Sequence, residues 1–435
     1  MAATQWTSQI DDMVAGRWIN PETAQPATLP YRSIVIDEDL RGREADLVAG
    51  LRLDGAVGVV CDAATHQAMG ERVARALGAA AVILDHPHAD EAAVADLRDQ
   101  TRHFDALVAV GSGTVNDLTK YVTATDGREF CVFGTAASMN GYTSTTASIT
   151  LHSGLKVSRP AHAPRGVFID LAVNAAAPRH LAAAGFADCL CRSTAQVDWW
   201  LSHRLFGTTY TDLPFALQRG DEAELMQRAK LLPERDIAAF GTLHRVLTLC
   251  GLGVSFTGMS NHGSMGEHQI SHYIDCFAGS LHPGSLHGQQ VGVATLTMAR
   301  LQQRILAMDA PPMVRATVVD PEAMRGRYGD AVLPTVLDEL RSKALDAAGA
   351  DTLNDKLARL WPELRRELQA FTLPVEQMHA ALAAAGGPTN AAELGLDVGF
   401  YRQAARYARE IRRRYSMLDL AADAGLLDGF VEGEA

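Results

Sequence analysis

Residues 106–121 read A-L-V-A-V-G-S-G-T-V-N-D-L-T-K-Y. A β-branched apolar run ends at Gly111, a glycine turn follows, and from Thr114 the apolar residues fall at helical spacing. Strand, glycine turn, helix is the layout that holds a phosphate. The glycines let the backbone approach closely, and the helix start offers N–H groups and the positive end of the helix dipole. Gly111, Ser112, Gly113 and Thr114 are therefore candidate cofactor-binding residues. The stretch is not the full G-x-G-x-x-G fingerprint, because the third glycine position is Asn116, and it lacks the G-K-S/T ending of a P-loop. A tight βα connection without ligand explains the turn equally well.

Outward from this turn the same alternation continues. Residues 31–37, 56–61, 80–84, 106–110, 130–133 and 167–170 read as strands, and 65–77, 90–101 and 114–125 as helices. Residues 144–157 have the pattern of a hairpin. Strands and helices alternating at this spacing imply βαβ units and a parallel sheet. Asp62, directly after the strand at 56–61, is placed to accept from adenosine hydroxyls or to cap a helix. After about residue 170 the character changes. Segments 178–203, 222–231, 236–254, 264–278, 286–307, 332–347, 353–370, 374–385 and 397–416 carry apolar residues at helical period, and β-branched runs become rare. The expected fold class is α/β plus all-α: a Rossmann-like nucleotide-binding domain over 1–170 and a helical domain over 171–435. The proline-containing stretch 309–321 is expected to be a loop.

A chain of 435 residues with 47% hydrophobic and 21% charged residues has ample material for two cores. The net charge of −12 argues against a nucleic-acid partner. Arg402, Arg406, Arg409 and Arg412 to Arg414 do cluster, and the plainer reading is a solvated helix face. Six cysteines are dispersed without a C-x-x-C pair, which fits reduced thiols in a cytoplasmic protein. The first residues lack the basic start and apolar core of a signal peptide. No stretch approaches about 18 uninterrupted apolar residues, so no membrane partner is expected.

Residues 264–293 hold four histidines. His268 and His272 are four apart, one helical turn, and so share a face; His287 follows before a glycine. Imidazole is the commonest metal-binding side chain. A catalytic metal needs about three protein ligands and an open position. His268 and His287 are two candidates, and Asp188 is a third, because a carboxylate in the apolar run G-F-A-D-C-L-C-R needs a partner. Helix capping or an ion pair would serve Asp188 as well. The pair is H-Q-I-S-H, so Gln269 stands where a zinc peptidase needs its glutamate, and peptidase is rejected. His180 and His203 are read as surface or core residues.

Six blocks together carry a resemblance: G-S-G-T-V-N-D-L-T-K-Y (111–121), G-T-A-A-S-M-N-G-Y-T-S (134–144), K-V (156–157), G-F-A-D (185–188), G-E-H-Q-I-S-H (266–272) and L-H-G-Q-Q-V-G-V (286–293). They keep their order over roughly residues 50 to 300. The chain resembles the sn-glycerol-1-phosphate dehydrogenases, of the superfamily that holds glycerol dehydrogenases, iron-containing alcohol dehydrogenases and dehydroquinate synthases. The resemblance implies a dehydroquinate synthase-like fold, NAD or NADP, and one divalent metal, zinc or nickel, with iron as a third candidate. It implies that Gly111, Ser112, Gly113 and Asp117 hold the pyrophosphate region, and that Thr135 to Ser138 and Ser144 line the nicotinamide side. Asp188, His268 and His287 match the metal ligands, and His272 a substrate-contacting histidine with a catalytic proton role. A homo-oligomer is expected from the family alone.

Departures accompany the matches. Where the family pattern has S-x-D-G, this chain has Ser138-Met139-Asn140-Gly141, so the substrate-side residue loses a charge and gains two donors. Where it has a segment like S-R-P-A-S-G, this chain has Ser260-Asn261-His262-Gly263-Ser264-Met265-Gly266. Ala187 and Cys191 stand where the family has glycines beside the metal aspartate. The expected activity interconverts a small secondary alcohol and its ketone on an anionic polyol. Alternatives are another polyol, polyol phosphate or phosphonate, a dehydroquinate synthase-like cyclase, or an NAD-binding scaffold. Lys156 and Arg159 are guesses for an anionic substrate group.

Overall fold

The computed structural model describes residues 5–434. Six parallel strands form one sheet: β1 (Ser33–Asp37), β2 (Val57–Asp62), β3 (Ala81–Leu84), β4 (Ala106–Gly111), β5 (Glu129–Gly134) and, after a hairpin of β6 (Thr146–Thr150) and β7 (Lys156–Pro160), β8 (Gly166–Asp170). Their order is β1-β8-β5-β4-β2-β3. β4 stands mid-sheet, paired in parallel with β5 and β2. All six of its residues are buried, as are all five of β8. Continuous apolar runs of this kind belong to strands covered on both faces, which is why the sequence marked them so clearly.

The helices that matter for the site are α1 (Gly113–Asp126), α2 (Arg179–Leu190), α3 (Arg192–Phe206), α4 (Ile237–Thr257), α5 (Gly266–Phe277) and α6 (His287–Leu306). Three helix limits are refined. The run 65–77 is helical throughout, with a π-type turn at His66–Gly70, and it begins at Ala63 because Asp62 and Thr65 form a capping box that starts the helix early. The run 178–203 is two helices that part at Cys191. The loop expected over 309–321 is present and ends at Asp320, which caps the helix Pro321–Arg341 that Pro321 opens.

The chain packs as two compact units, Met1–Cys189 with Asp212–Met259, and Leu190–Thr211 with Ser260–Ala435. α2, except for its last residue, and α4 belong to the sheet-bearing unit, although both lie beyond residue 170. A Cβ on Gly185 of α2 would lie 1.9 Å from the Ala137 carbonyl oxygen, so glycine alone lets the helix sit on that loop. α4 is the one helix among the described residues long and apolar enough to cross a membrane, and 83% of its most apolar 18-residue stretch is buried within the fold.

α4 also carries a buried acid-sensitive contact. Asn174 Nδ2 donates to the carbonyls of Gly134 and Asp170, both at 2.8 Å, which turns its Oδ1 to accept from His244 Nε2, also at 2.8 Å. Burial pushes His244 down to about 3. The folded chain therefore keeps this ring neutral, while the unfolded chain takes up a proton below about pH 6.5. Stability from this site is full above about pH 6.5 and falls on acidification, by at most about 1.4 kcal/mol per pH unit. A His244→Gln protein should show a flatter fall of melting temperature between pH 6.5 and pH 4 than the parent, and parallel curves would refute this.

The second unit is helical. α3, α5 and α6 pack with the helices Pro321–Arg341, Ala347–Gln369, Val375–Ala384, Val398–Tyr407, Met417–Asp423 and Leu427–Val431. Trp199, Trp361, Tyr273 and Tyr401 are among its largest fully buried side chains.

Candidate active site

The glycine turn lies at the carboxyl end of the mid-sheet strand β4, the usual ligand position in an open α/β sheet. A Cβ on Gly111 would meet the Val115 side chain at 2.5 Å, so this glycine lets α1 fold back onto its own strand. Gly113 differs: its Cβ would meet only Met139, at 3.8 Å. The protein's own packing does not demand glycine there, which fits a backbone kept bare for a ligand. Ser112 is the N-cap of α1 and Thr114 lies in its first turn, both half-buried.

Asp117 turns away from this role. Its two oxygens accept from Asn116 Nδ2 and from the backbone N–H of Ser148 on β6, both at 2.9 Å. Burial raises its carboxyl and Lys120 opposes the rise. Lys120, wholly buried, donates to the carbonyls of Gly141 (2.6 Å) and Thr146 (3.1 Å). Asp117 and Lys120 thus pin the hairpin and the 141–146 loop to α1. Ser144 shapes that loop, its Oγ accepting from Thr146 N at 3.1 Å. Lys156 and Arg159 both stand half-buried on β7. Asp62 caps the turn after β2, its Oδ1 accepting from Thr65 N at 2.8 Å.

The segment after β5 carries the remaining residues of the first unit. Thr135 N donates to the Gly111 carbonyl at 3.1 Å, which ties this loop to the glycine turn. Ser138 and Asn140 are half-buried. The Asn140 backbone N–H donates to Asp188 Oδ2 at 3.3 Å, and its Nδ2 lies 3.4 Å from Cys250 Sγ. Asn140 and Asp188, 48 residues apart in sequence, are therefore neighbours. Asp188 is buried near the end of α2.

The histidines lie in the second unit. The ring centroids of His268 and His287 are 5.1 Å apart, those of His272 and His287 5.4 Å, and those of His268 and His272 6.2 Å. His287 opens α6 opposite the turn of α5 that bears the other two. Each proposed ligand has its Nδ1 committed. His268 Nδ1 lies 3.0 Å from Glu267 Oε1, and that oxygen also accepts from Met265 N at 2.7 Å. His287 Nδ1 lies 2.9 Å from Ser271 Oγ. Ser271 itself donates to Gln290 Oε1 at 2.9 Å, and Gln290 Nε2 donates to Asp275 Oδ1, also at 2.9 Å. Ser271 Oγ must then accept, so His287 carries its proton on Nδ1 and keeps Nε2 as a lone pair. A carboxylate or hydroxyl behind each Nδ1 is the support that metal-binding histidines use. The donor set fits a divalent ion. Ser271→Ala should lower metal affinity by about 10–100-fold with little loss of melting temperature, and unchanged affinity would refute the role given to Ser271.

Sequence reasoning passed over Glu267, Ser271 and Lys120. Glu267 had a signal, since Ser264-x-x-Glu267 is a capping pattern at the start of α5. The C-terminal arginines are also corrected. Arg414 is not part of a solvated face: its guanidinium donates to the Ser264 carbonyl and, at 2.9 Å, to Ser260 Oγ. Burial, then the charge of Arg412, pulls it down to about 10. Arg409 is buried between Asp419 and Asp423. His203 Nδ1 lies 2.6 Å from the Thr208 carbonyl just past the end of α3.

The iron-containing alcohol dehydrogenase family model matches residues 35–178, which span the sheet and the glycine turn. Over 283 residues the chain is 31% identical to a glycerol-1-phosphate dehydrogenase of Methanothermobacter thermautotrophicus, covering 62% of this chain and 80% of that one. The chain belongs to the glycerol-1-phosphate dehydrogenase family. It is an enzyme, an alcohol oxidoreductase. A glycerol-1-phosphate dehydrogenase of Bacillus velezensis is 29% identical over 377 residues, covering 83% of this chain and 84% of its own. The same fold is seen in the crystal structure of glycerol dehydrogenase from Schizosaccharomyces pombe, with a TM-score of 0.57 at 16% identity, over 92% of this chain and 90% of that one.

Proposed function

We propose that this member of the glycerol-1-phosphate dehydrogenase family is a metal-dependent NAD(P) oxidoreductase acting on glycerol 1-phosphate and dihydroxyacetone phosphate, or on a closely related anionic polyol. The observation that carries the reading is the pair His268 and His287, each with its Nδ1 held by a neighbouring carboxylate or hydroxyl, the support that orients metal-binding imidazoles. Asp188 is the third ligand in this reading. A divalent ion held by these three supplies Lewis-acid stabilisation of the substrate alkoxide. Gly111, Ser112, Gly113 and Thr114 hold the NAD(P) pyrophosphate on the start of α1. Thr135, Ser138 and Ser144 border the nicotinamide, with Asp117 fixing the hairpin behind them. Asp62 accepts from the adenosine ribose, where its charge disfavours a 2′-phosphate and so favours NAD over NADP.

NAD(P) held there would supply the hydride acceptor for the oxidative direction, and His272 takes the substrate hydroxyl proton and passes it to solvent. Imidazole ordinarily titrates near neutrality and suits that relay. Asn140 offers amide hydrogen-bonding groups to the substrate. Zinc, nickel and iron all suit a site of two imidazoles and a carboxylate. Six free cysteines and no bridged pair among the described residues support a cytoplasmic enzyme. A homo-oligomer completes the proposal.

A different polyol phosphate or phosphonate is the second reading, favoured by Asn140 and by the Ser260–Ser264 segment that Arg414 holds. A panel of glycerol 1-phosphate, its enantiomer, unphosphorylated polyols and a phosphonate analogue, followed by NAD(P)H absorbance, decides between them. A net absorbance change with glycerol 1-phosphate supports the first reading. Turnover of a carbocycle precursor without net change would overturn both in favour of a synthase.

A further inference from the structure

Cys191, Glu267 and His268 each offer a ligand atom, all within 4.8 Å of one another, and all three side chains are buried. Their chemistry differs from the set proposed for catalysis, because it contains a thiol. Cys191 stands at the junction of α2 and α3, and its Sγ donates to the Gly263 carbonyl at 3.5 Å. Glu267 brings a carboxylate whose Oε2 accepts from Thr194 Oγ1 at 3.4 Å. Glu267 and His268 already stand 3.0 Å apart. A tetrahedral ion with bonds of about 2.0–2.3 Å holds its ligand atoms roughly 3.3–3.6 Å apart, so the thiol needs to close by no more than about 1.5 Å.

We propose that Cys191, Glu267 and His268 form a second position for a thiophilic divalent ion such as zinc, in competition with the catalytic one. The competition rests on the ligand set given above, because both positions draw on His268. A neutral imidazole has one lone pair and serves one ion at a time. Binding at the second position sends the Sγ proton to solvent and places a soft thiolate on the metal, a preference that hard ions such as magnesium do not share. An ion held there takes His268 from the catalytic set, so zinc in excess of one equivalent slows the enzyme.

Chelator-treated full-length protein titrated with cobalt(II) tests this, with bound cobalt counted by elemental analysis and the near-ultraviolet thiolate-to-cobalt band followed by absorbance. The parent protein is expected to show the band. Cys191→Ser is expected to lose it while still binding cobalt, and Cys191→Ala serves if the serine protein does not fold. His287→Ala, which touches only the catalytic set, is expected to keep it. Bound cobalt without a band in the parent, or a band that survives Cys191→Ser, overturns the second position and leaves the catalytic set standing. Loss of all cobalt in His287→Ala overturns an independent position. A parent protein that binds no cobalt at all overturns both.

Discussion

Replacing His287 with alanine is expected to empty the catalytic metal position and abolish turnover together, to leave NAD(P) binding intact, and to leave any ion at Cys191, Glu267 and His268 in place. The ring is about one-third exposed at the start of α6, so the fold loses little with it. It is oriented by the Ser271–Gln290–Asp275 hydrogen-bonded chain. Two remaining ligands do not keep a catalytic ion, and Lewis-acid stabilisation worth about 4 kcal/mol is roughly a thousandfold in rate. Elemental analysis, a dinucleotide titration and an activity assay on the same preparation read all three effects. Retained turnover in a demonstrably metal-free His287→Ala protein would contradict the scheme.

The second large effect is expected from Gly185→Ala. The new Cβ would stand 1.9 Å from the Ala137 carbonyl oxygen, a backbone atom that no side-chain rotation removes. Either α2 lifts or the 135–140 loop shifts, and overpacking of this kind costs about 3 kcal/mol. Both elements carry site residues, Asp188 on one and Asn140 on the other, joined by one hydrogen bond. Denaturant unfolding should show the loss of stability, and metal and dinucleotide affinities should fall with it. A variant as stable as the parent would show that the loop moves aside at no cost.

The sheet was legible because its strands are buried on both faces and so appear as unbroken apolar runs, as β4 and β8 do. The glycine turn was legible for the same reason that it works, since Gly111 has to let α1 approach. Helix limits were less so, because capping by Asp62 and Asp320 decides them within a residue or two. The histidines could be picked out by type and spacing. Their supports could not, because Ser271 and Gln290 belong to different helices and acquire meaning only when α5 and α6 lie side by side. Arg414 misled for a related reason: a basic run looks solvated until a distant segment, here Ser260 to Ser264, covers it.

The most direct test of a metal-dependent NAD(P) oxidoreductase follows NADH absorbance with dihydroxyacetone phosphate, using chelator-treated protein refilled separately with zinc, nickel and iron. The account predicts no NADH consumption by the stripped protein and a return of consumption on adding about one equivalent of a competent ion. Undiminished consumption by protein shown to be metal-free would contradict it.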